Sequence, residues 1–234
     1  MLMVLAGGFG TRIKSEIGNV PKALAPVEGV PFLEMQIEHW LRQGLRDFAF
    51  LLHHQADQVV DFLYAQQKRQ LSGCKVRYLI EPMPFDTGGA VAFAVKKWGL
   101  TDNFLVTNAD TWLGGGMVQM FESTPPAIGV VNQSEIGRFG QVYLNSEDYV
   151  TAFLEKNAKG GEGWVYAGLC HLPARLFKDW SGQAFSLERD LFSTCVRDER
   201  LKAVKLKADF VDIGIPADYH RYCQWIKAGR HFQL

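Results

Sequence analysis

The segment Leu-Ala-Gly-Gly-Phe-Gly-Thr-Arg at residues 5–12 contains residue types that suit phosphate binding. Glycines after a short apolar run let backbone N–H groups approach a phosphate closely, and Arg12 adds a fixed positive charge. The segment is not a P-loop, which ends in Gly-Lys-Ser/Thr. It is not a dinucleotide fingerprint either, because Ile13 stands where a third glycine or alanine is needed. The glycine spacing alone fits a tight turn beside a surface arginine equally well.

Lys22 is a second cation that could reach the same phosphate. It follows Pro21 and lies ten residues beyond Arg12, so a returning loop could bring its amine over the anion. Considered alone, a lysine at such a position is more often simply solvated. It gains weight only in combination with other motifs.

Short apolar runs alternate with helical periodicity in the first half of the chain, and these patterns predict the elements that position the candidate residues. The predicted elements are strands at residues 2–5, 48–52, 76–80 and 104–106, and helices at residues 31–42, 58–70 and 90–98. The last strand delivers Asn108, Ala109 and Asp110 to its carboxyl end, where ligands bind in open α/β sheets. The alternation predicts a largely parallel, doubly wound sheet.

The second half of the chain is richer in predicted strands. These lie at residues 128–131, 142–144, 165–171 and 201–206, with helices at residues 187–196 and 217–227. The expected fold class is therefore α/β, with a doubly wound, Rossmann-like, mixed but mostly parallel sheet flanked by helices. The glycine-rich residues 159–163 are too few to separate domains, so we expect a single domain over residues 1–234.

Composition excludes several classes of protein. The 25 basic and 25 acidic residues cancel, so no global field favours nucleic acid or an anionic membrane. No apolar stretch approaches the roughly 18 residues of a membrane helix, and Met1–Leu5 lacks the basic start of a signal peptide. The four cysteines form no CxxC pair, which predicts neither zinc nor disulfides and favours a reduced, cytoplasmic protein. A homodimer is one option that the sequence leaves open.

Six motifs follow one another along nearly the whole chain. They are Gly7-Gly8-Phe9-Gly10-Thr11-Arg12 with Pro21-Lys22, Glu81-Pro82 with Asp86-Thr87-Gly88-Gly89-Ala90, Asn108-Ala109-Asp110, Glu155-Lys156, Tyr166-Ala167-Gly168, and Phe210-Val211-Asp212-Ile213-Gly214-Ile215-Pro216. In this order they resemble the signature of the sugar-1-phosphate nucleotidyltransferases, whose fold is GT-A-like. Together with Gly137-Arg138-Phe139-Gly140, the last two motifs look most like those of the D-glycero-α-D-manno-heptose 1-phosphate guanylyltransferases.

The resemblance implies Mg²⁺-dependent transfer of a nucleotidyl group from a nucleoside triphosphate, with GTP favoured, to a sugar 1-phosphate, with heptose favoured. The products are an NDP-sugar and pyrophosphate, and the setting is bacterial capsule or lipopolysaccharide synthesis. In-line attack by a phosphate that is already anionic requires alignment and charge neutralisation rather than a general base. The resemblance assigns Arg12 to the triphosphate tail, Lys22 to the reacting phosphates and Lys156 to the sugar phosphate.

The resemblance also implies a full set of site residues. The catalytic residues are Arg12, Lys22 and Asp110, and the metal ligands are Asp110 and Asp212. The nucleotide-binding residues are Leu5, Ala6, Gly7, Gly8, Gly10, Thr11, Arg12, Lys22, Glu81, Thr87, Gly88, Gly89 and Asn108. The sugar-phosphate-binding residues are Glu155, Lys156, Tyr166, Gly168 and Glu188. Nucleotide binding thus falls mainly in the N-terminal half and sugar-phosphate binding mainly in the C-terminal half.

Several of these residues have purely structural alternatives. Asp110 and Asp212 are each equally well turn residues, because short acidic side chains favour such positions. Glu155 beside Lys156 could be an exposed ion pair of little consequence. The joint pattern, rather than any one residue, favours the functional interpretation.

The helix-start motifs and a histidine pair have structural alternatives as well. Thr87 could be the N-cap of an ordinary helix, and Ser186 could cap a second helix that contains Glu188. His53 and His54 lie at a predicted strand end without a His or Cys partner at metal-ligand spacing. A strand-end pair is therefore favoured over a metal site.

Two departures from the family pattern leave the nucleobase open. Relatives commonly have Gly where Ala109 stands and Leu-Gly where Phe85-Asp86 stands. The nearest alternatives are a uridylyltransferase acting on N-acetylmuramate or hexose 1-phosphate and a mannose-1-phosphate guanylyltransferase. A non-catalytic NDP-sugar sensor is more distant, because a sensor does not need two metal carboxylates.

Overall fold

The computed structural model describes residues 1–137, 139–154 and 161–229. Its strands are β1 (Leu2–Leu5), β2 (Pro26–Val27), β3 (Val30–Pro31), β4 (Asp47–Leu52), β5 (Lys75–Ile80), β6 (Asn103–Asn108), β7 (Thr111–Leu113), β8 (Ala127–Gln133), β9 (Gln141–Leu144), β10 (Val150–Leu154), β11 (Gly163–Pro173), β12 (Lys202–Lys205) and β13 (Phe210–Asp212). Its α-helices are α1 (Lys14–Ile17), α2 (Phe32–Arg42), α3 (Ala56–Gln67), α4 (Asp86–Trp98), α5 (Met117–Glu122), α6 (Ser193–Arg197) and α7 (Pro216–Lys227).

The chain divides into two compact units, each built from separate stretches of sequence. The first unit contains Met1–Pro84, Thr107–Gly114 and the chain from Asp209 onward. The second contains the described parts of Phe85–Val106 and Gly115–Ala208. Among the described residues, no helix combines the length and apolar character needed to cross a membrane.

Parallel strands form the main sheet of the first unit. β1 pairs with β4, with Leu2 opposite Phe48 and Leu5 opposite Leu51, and β4 pairs with β5 in the same direction. Five of the six residues of β4 are buried, as expected for a strand whose two faces are both covered. The predicted alternation of strands and helices in this part of the chain is confirmed, with element ends shifted by a few residues.

A hydrophobic cluster holds the three stretches of the first unit together. Ile13 and Phe32 from the first stretch pack with Trp112 from the second and with Ile213 and Tyr222 from the third. None of these five side chains is more than 1% exposed, and burying each contributes roughly 1.5–3 kcal/mol. Trp112 lies two residues after Asp110, and Ile213 directly follows Asp212. The cluster therefore fixes the backbone that carries these two carboxylates.

The second unit contains strands of both directions. β8 pairs antiparallel with β11 and parallel with β12, and β9 pairs antiparallel with β10 and β11. The predicted mixed extension of the sheet is therefore confirmed. The helix predicted at residues 187–196 is wrong in type over its first part, where Leu187–Phe192 is a π-helix that leads into α6.

The fold class agrees with the prediction, namely a mixed, mostly parallel sheet flanked by helices. Two small antiparallel pairs were not predicted. β2 and β3 form a short hairpin, and β7 pairs with β13. The pair of β7 and β13 contains Asp212, and β7 begins directly after Asp110.

Candidate active site

A short antiparallel ladder brings Asp110 and Asp212 together. β7 pairs with β13, with Asp212 opposite Thr111, and the N–H of Ile213 donates to the carbonyl oxygen of Asp110 at 2.9 Å. About 100 residues separate the two strands in the sequence. Two aspartates that are distant along the chain therefore enter one site.

The amine of Lys22 lies beside both aspartates. Its Nζ forms an ion pair with Asp110 Oδ2 and lies 3.8 Å from Asp212 Oδ1. The lysine side chain is only 11% exposed, whereas the two aspartate side chains are 34% and 37% exposed. The amine is thus nearly covered, and the carboxylates stay within reach of a ligand.

The charges of this group act on Asp212. Burial raises the pKa of the Asp212 carboxyl, and the neighbouring Asp110 charge raises it further. Lys22, the N–H of Gly214 at 2.7 Å and Arg12 oppose this pKa shift. The site therefore concentrates negative charge that its own cations only partly offset. The structure thus brings Lys22 beside Asp110 and Asp212, and Arg12 acts on Asp212 through its charge, while the roles of these four residues stay predictions.

Gly10 is required by its conformation and by its contact with Lys22. Its φ is 60°, a left-handed value that favours glycine, and a Cβ at this position would lie 3.2 Å from Lys22 Cβ. The glycine segment therefore does pass against Lys22, as the returning loop predicted. A Cβ on Gly8 would meet nothing within 4 Å beyond its chain neighbours, so its missing side chain leaves open space.

The other residues predicted near the phosphates are Leu5, Ala6, Thr11 and Asn108. All but Thr11 lie at or directly after the ends of β1 and β6. The carbonyl oxygen of Leu5 accepts the N–H of Ala109 at 3.0 Å, and the N–H of Ala6 donates to Leu51 at 2.9 Å. Asn108 is partly exposed at the end of β6, and Thr11 is exposed. The backbone at this point is held by strand hydrogen bonds, and these extend to Gly7, whose carbonyl oxygen accepts the N–H of His54 at 3.4 Å.

Two residues that lie near Gly7 are Glu81, which was predicted to bind the nucleotide, and His53, which was interpreted only as a strand-end residue. A Cβ on Gly7 would lie 3.1 Å from His53 Cβ and 3.2 Å from Glu81 Oε1. Glu81 is buried, and its carbonyl oxygen lies 3.2 Å from His53 Nδ1. Phe9 is 53% exposed, and its ring packs against His54. The histidine pair is thus part of the glycine-loop surroundings, for which the sequence holds no local signal.

Thr87 lies at the start of α4 in the second unit. Its side chain accepts a hydrogen bond from the start of the π-helix at Leu187 rather than capping α4. Its Oγ1 accepts the N–H of Leu187 at 2.9 Å, and its own N–H donates to Asp86 Oδ1 at 2.6 Å. Asp86 has a φ of 60° and forms an ion pair with Arg189 at 2.8 Å. The residue that replaces the family's glycine therefore adopts the left-handed conformation that glycine favours.

Gly88 and Gly89 are packed against protein atoms. Both N–H groups donate to the carbonyl oxygen of Phe185, at 2.9 and 3.1 Å. A Cβ on Gly88 would overlap the Phe185 ring, and a Cβ on Gly89 would lie 2.7 Å from Phe85 Cβ. Close packing therefore explains both glycines, and their nucleotide-binding role stays a prediction.

Tyr166 and Glu188, which were both predicted to bind the sugar, interact electrostatically in the second unit. Gly168, with φ of 70°, lies in a β-bulge between Tyr166 and Cys170. Burial raises the pKa of Tyr166, and Cys170 and the Glu188 charge raise it further. Burial also raises the pKa of Cys170 to about 12. The Cys170 thiol is therefore protonated near neutral pH.

The segment that presents Glu188 begins with a capped turn. The Ser186 side chain accepts the N–H of Arg189 at 3.3 Å, so the predicted cap is confirmed. Glu155 and Lys156, the predicted sugar-phosphate residues, lie outside the described residues.

Asp110 and Asp212 are chemically suited to a hard divalent cation. Mg²⁺ is usually bound through one or two carboxylates together with substrate phosphates and water. Over residues 1–137, 139–154 and 161–229, no group of three or more His, Cys, Asp or Glu side chains could hold a metal ion by itself. Two neighbouring carboxylates, without a third protein ligand among the described residues, fit an ion that arrives with phosphate ligands better than a closed structural site.

The family model of the Nucleotidyl transferase family matches residues 1–227. The chain belongs to this family. Nucleotidyltransferases of this family generally use a divalent metal. As a member, the protein is a transferase, and the two carboxylates beside Lys22 are the part of its structure that suits that metal.

Similar proteins cover nearly the whole chain. D-glycero-alpha-D-manno-heptose 1-phosphate guanylyltransferase of Campylobacter jejuni is 29% identical over 227 residues, which cover 94% of this chain and 97% of the relative. The enzyme of the same name from Aneurinibacillus thermoaerophilus is 28% identical over 225 residues, covering 94% and 95%. The crystal structure of HddC from Yersinia pseudotuberculosis, also solved with GMP-PN, has 31% identity and a TM-score of 0.84, covering 96% of this chain and 98% of HddC.

Proposed function

We propose that the protein transfers a guanylyl group from GTP to D-glycero-α-D-manno-heptose 1-phosphate. A phosphate oxygen of the sugar attacks the α-phosphorus, the bond from that phosphorus to the bridging oxygen breaks, and pyrophosphate leaves with the electron pair. The product is GDP-heptose, made in the cytoplasm for bacterial capsule or lipopolysaccharide. The names of the relatives support this choice of substrates.

Lys22 between Asp110 and Asp212 is the observation that carries the proposal. The nearly covered amine suits contact with a negatively charged phosphate, and the two accessible carboxylates suit binding of a metal ion. A nucleotidyl transfer requires both. Lys22 would leave its ion pair with Asp110 to contact the reacting phosphates, and Arg12 would hold the triphosphate tail. Preorganised positive charge at the point where negative charge develops lowers the barrier to phosphoryl-type transfer.

Asp110 and Asp212 would hold Mg²⁺ through their carboxylate oxygens. When bound, such an ion neutralises phosphate charge and orients the phosphate oxygens for in-line attack. The backbone ladder would keep the two carboxylates at a fixed separation while phosphates enter.

The remaining predicted residues are assigned to the base and the sugar. We assign Tyr166, Gly168 and Glu188 to the sugar, because a buried hydroxyl and a carboxylate together can bind several sugar hydroxyls. Lys156 and Glu155 would complete this group. Thr87, Gly88 and Gly89 are assigned to the nucleobase. This assignment requires either a contact that avoids the glycine N–H groups or a shift of Phe185, whose carbonyl oxygen now accepts both.

Pyrophosphate release tests this function. Purified protein with Mg²⁺ would be given GTP, UTP, CTP, ATP or dTTP, each with the 1-phosphate of heptose, mannose, glucose or N-acetylmuramic acid. Mass spectrometry of the sugar nucleotide identifies the product, and omission of the sugar phosphate is the control. We expect the highest kcat/KM for GTP with heptose 1-phosphate.

The other outcomes correct or remove the proposal. Turnover of GTP with mannose 1-phosphate, or of UTP with N-acetylmuramate or glucose 1-phosphate, would keep the chemistry and change the substrates. No turnover with any pair, from folded protein that binds GDP-sugars, would favour the sensor.

A further inference from the structure

The face of α2 that packs against β7 contains two buried polar side chains. Gln36 is 2% exposed, and its Nε2 donates to the carbonyl oxygen of Thr111 at 2.7 Å. His39, one turn later and 1% exposed, packs its ring on Trp112 with centroids 4.6 Å apart. A helix interior facing a core usually carries apolar residues at such positions, so these polar side chains require an explanation.

The hydrogen-bond pattern of the β7–β13 ladder shows why the Thr111 carbonyl oxygen needs a partner outside the ladder. The N–H of Ile213 donates to Asp110, and the N–H of Gly114 donates to the carbonyl oxygen of Asp209 at 2.8 Å. Hydrogen-bonded pairs alternate in an antiparallel ladder, so Thr111 falls on a position whose carbonyl points away from β13. Gln36 supplies the hydrogen bond that this outward carbonyl would otherwise lack.

Stability alone does not account for the glutamine. Its Oε1 atom is buried and has no hydrogen-bond partner among the described residues. Burying an amide with one unsatisfied oxygen costs free energy, and an apolar side chain of similar size would avoid that cost but leave the Thr111 carbonyl without a partner, so the two costs oppose each other. What the amide adds is a directional bond to the residue that follows Asp110 in sequence and lies opposite Asp212 in the ladder.

We propose that Gln36 is a positioning residue for both acidic side chains of the site. By holding the Thr111 carbonyl, it fixes β7 from the side opposite β13, and thereby sets the spacing of the Asp110 and Asp212 carboxylates. His39 supports the same strand one turn along through its contact with Trp112. The inference rests on the proposed function for the roles of the two aspartates.

The test compares Gln36→Met with Gln66→Met. Methionine keeps the approximate volume of glutamine and removes the donor. Gln66 is a matched control, since it lies on α3, is also 2% exposed and has a buried Oε1 that lacks a partner in the described part of the chain. Binding of Mn²⁺ in the presence of GTP is measured by electron paramagnetic resonance, with unfolding in urea measured on the same samples.

We expect Gln36→Met to weaken Mn²⁺ binding about tenfold and to raise the Mg²⁺ concentration for half-maximal turnover by a similar factor. Gln66→Met is expected to leave both quantities unchanged. Gln36→Asn, which keeps the amide but cannot span the gap, should behave as Gln36→Met and serves if the latter does not fold.

Unchanged Mn²⁺ binding in the Gln36 variants would overturn the inference, as would an equal loss in Gln66→Met. These results are distinct from failure of the proposed function. Wild-type protein that binds Mn²⁺ with GTP but turns over no substrate pair would remove the function while the variants still test the positioning. Wild-type protein that binds no Mn²⁺ would overturn both.

Discussion

The ladder of β7 and β13 differs from the start of α4 in what its polar groups do. In the ladder, Lys22, Asp110 and Asp212 share charge that is incompletely balanced, and the carboxylates are about one-third exposed. At the start of α4, by contrast, the N–H groups of Gly88 and Gly89 already bind a protein carbonyl. Both regions carry family motifs, but only the first presents unsatisfied charge.

This difference shows that a family motif can reflect either a candidate catalytic site or close packing within the protein. Gly10 and Gly88 both lack a side chain because a neighbour is close, yet the neighbour is the candidate catalytic Lys22 in one case and the ring of Phe185 in the other. Substitutions should therefore affect activity in the ladder region and stability at the start of α4.

The largest expected effect comes from Asp110→Asn, which removes one of the paired carboxylates. We expect kcat to fall by at least about a hundredfold, because charge stabilisation at the reacting phosphates is lost. Pyrophosphate release measures this effect. Asp209→Asn changes an aspartate at the other end of the same ladder and should leave kcat unchanged. A fall of only a few fold in Asp110→Asn would contradict the role of this carboxylate.

Gly88→Ala and Gly8→Ala should separate the two kinds of glycine. A methyl group on Gly88 would overlap the Phe185 ring, so we expect the free energy of unfolding to fall by about 1–3 kcal/mol. Gly8 faces open space, so Gly8→Ala should leave stability nearly unchanged and lower kcat/KM for GTP about tenfold by holding the phosphate away. Urea unfolding and steady-state kinetics measure the two effects, and the reverse pattern would refute the comparison.

Asp86→Gly should have a small effect on stability. The substitution relieves a left-handed aspartate, but it also removes an exposed ion pair with Arg189 and adds chain entropy to the unfolded state. These terms oppose each other, so we expect a change within about 1 kcal/mol in thermal or urea unfolding. Arg189→Gln, which removes only the ion pair, is the control. A larger loss in either variant would mean that this ion pair holds the α4 start.

The smallest expected effect concerns His39, behind the ladder. Burial lowers the pKa of His39 below 6.5, so the unfolded chain takes up a proton at a higher pH than the native protein. Stability should therefore fall as pH drops from 7.5 to 6, with a contribution from this group of less than about 1 kcal/mol. Urea unfolding of His39→Gln should show a shallower pH dependence.

The pH dependence of stability that remains in His39→Gln is expected to come from His171. Burial lowers the pKa of His171 as well, so its contribution has the same sign and remains in the variant. An unchanged slope in His39→Gln would show that the buried ring does not titrate as its surroundings indicate.

Much of the fold was predictable because its strands and helices leave local patterns. The apolar run of β4 and the periodicity of α2 each report burial within a single element. β7 and β13 were missed because each has only three residues, too few for any period to be read. The π-helix after Ser186 was missed because a helical pattern of side chains does not distinguish hydrogen-bond types.

The resemblance named the charged residues of the candidate site, but it did not give the ladder that brings Asp110 and Asp212 together. Arg12, Lys22, Asp110 and Asp212 stand in ordered motifs, so the resemblance selected them without coordinates. Gln36 was invisible because its contact with Thr111 joins residues 75 positions apart and leaves no local pattern. The packing of Phe185 against Gly88 was hidden for the same reason.

The ladder has a consequence for how the protein is made. Its two strands are separated by about 100 residues, so a ribosome must add all of the intervening chain before Asp212 can pair with Thr111. Nascent chains that end before β13 would carry Lys22 and Asp110 without the second carboxylate. The paired arrangement of the two carboxylates therefore forms only after β13 has been synthesised.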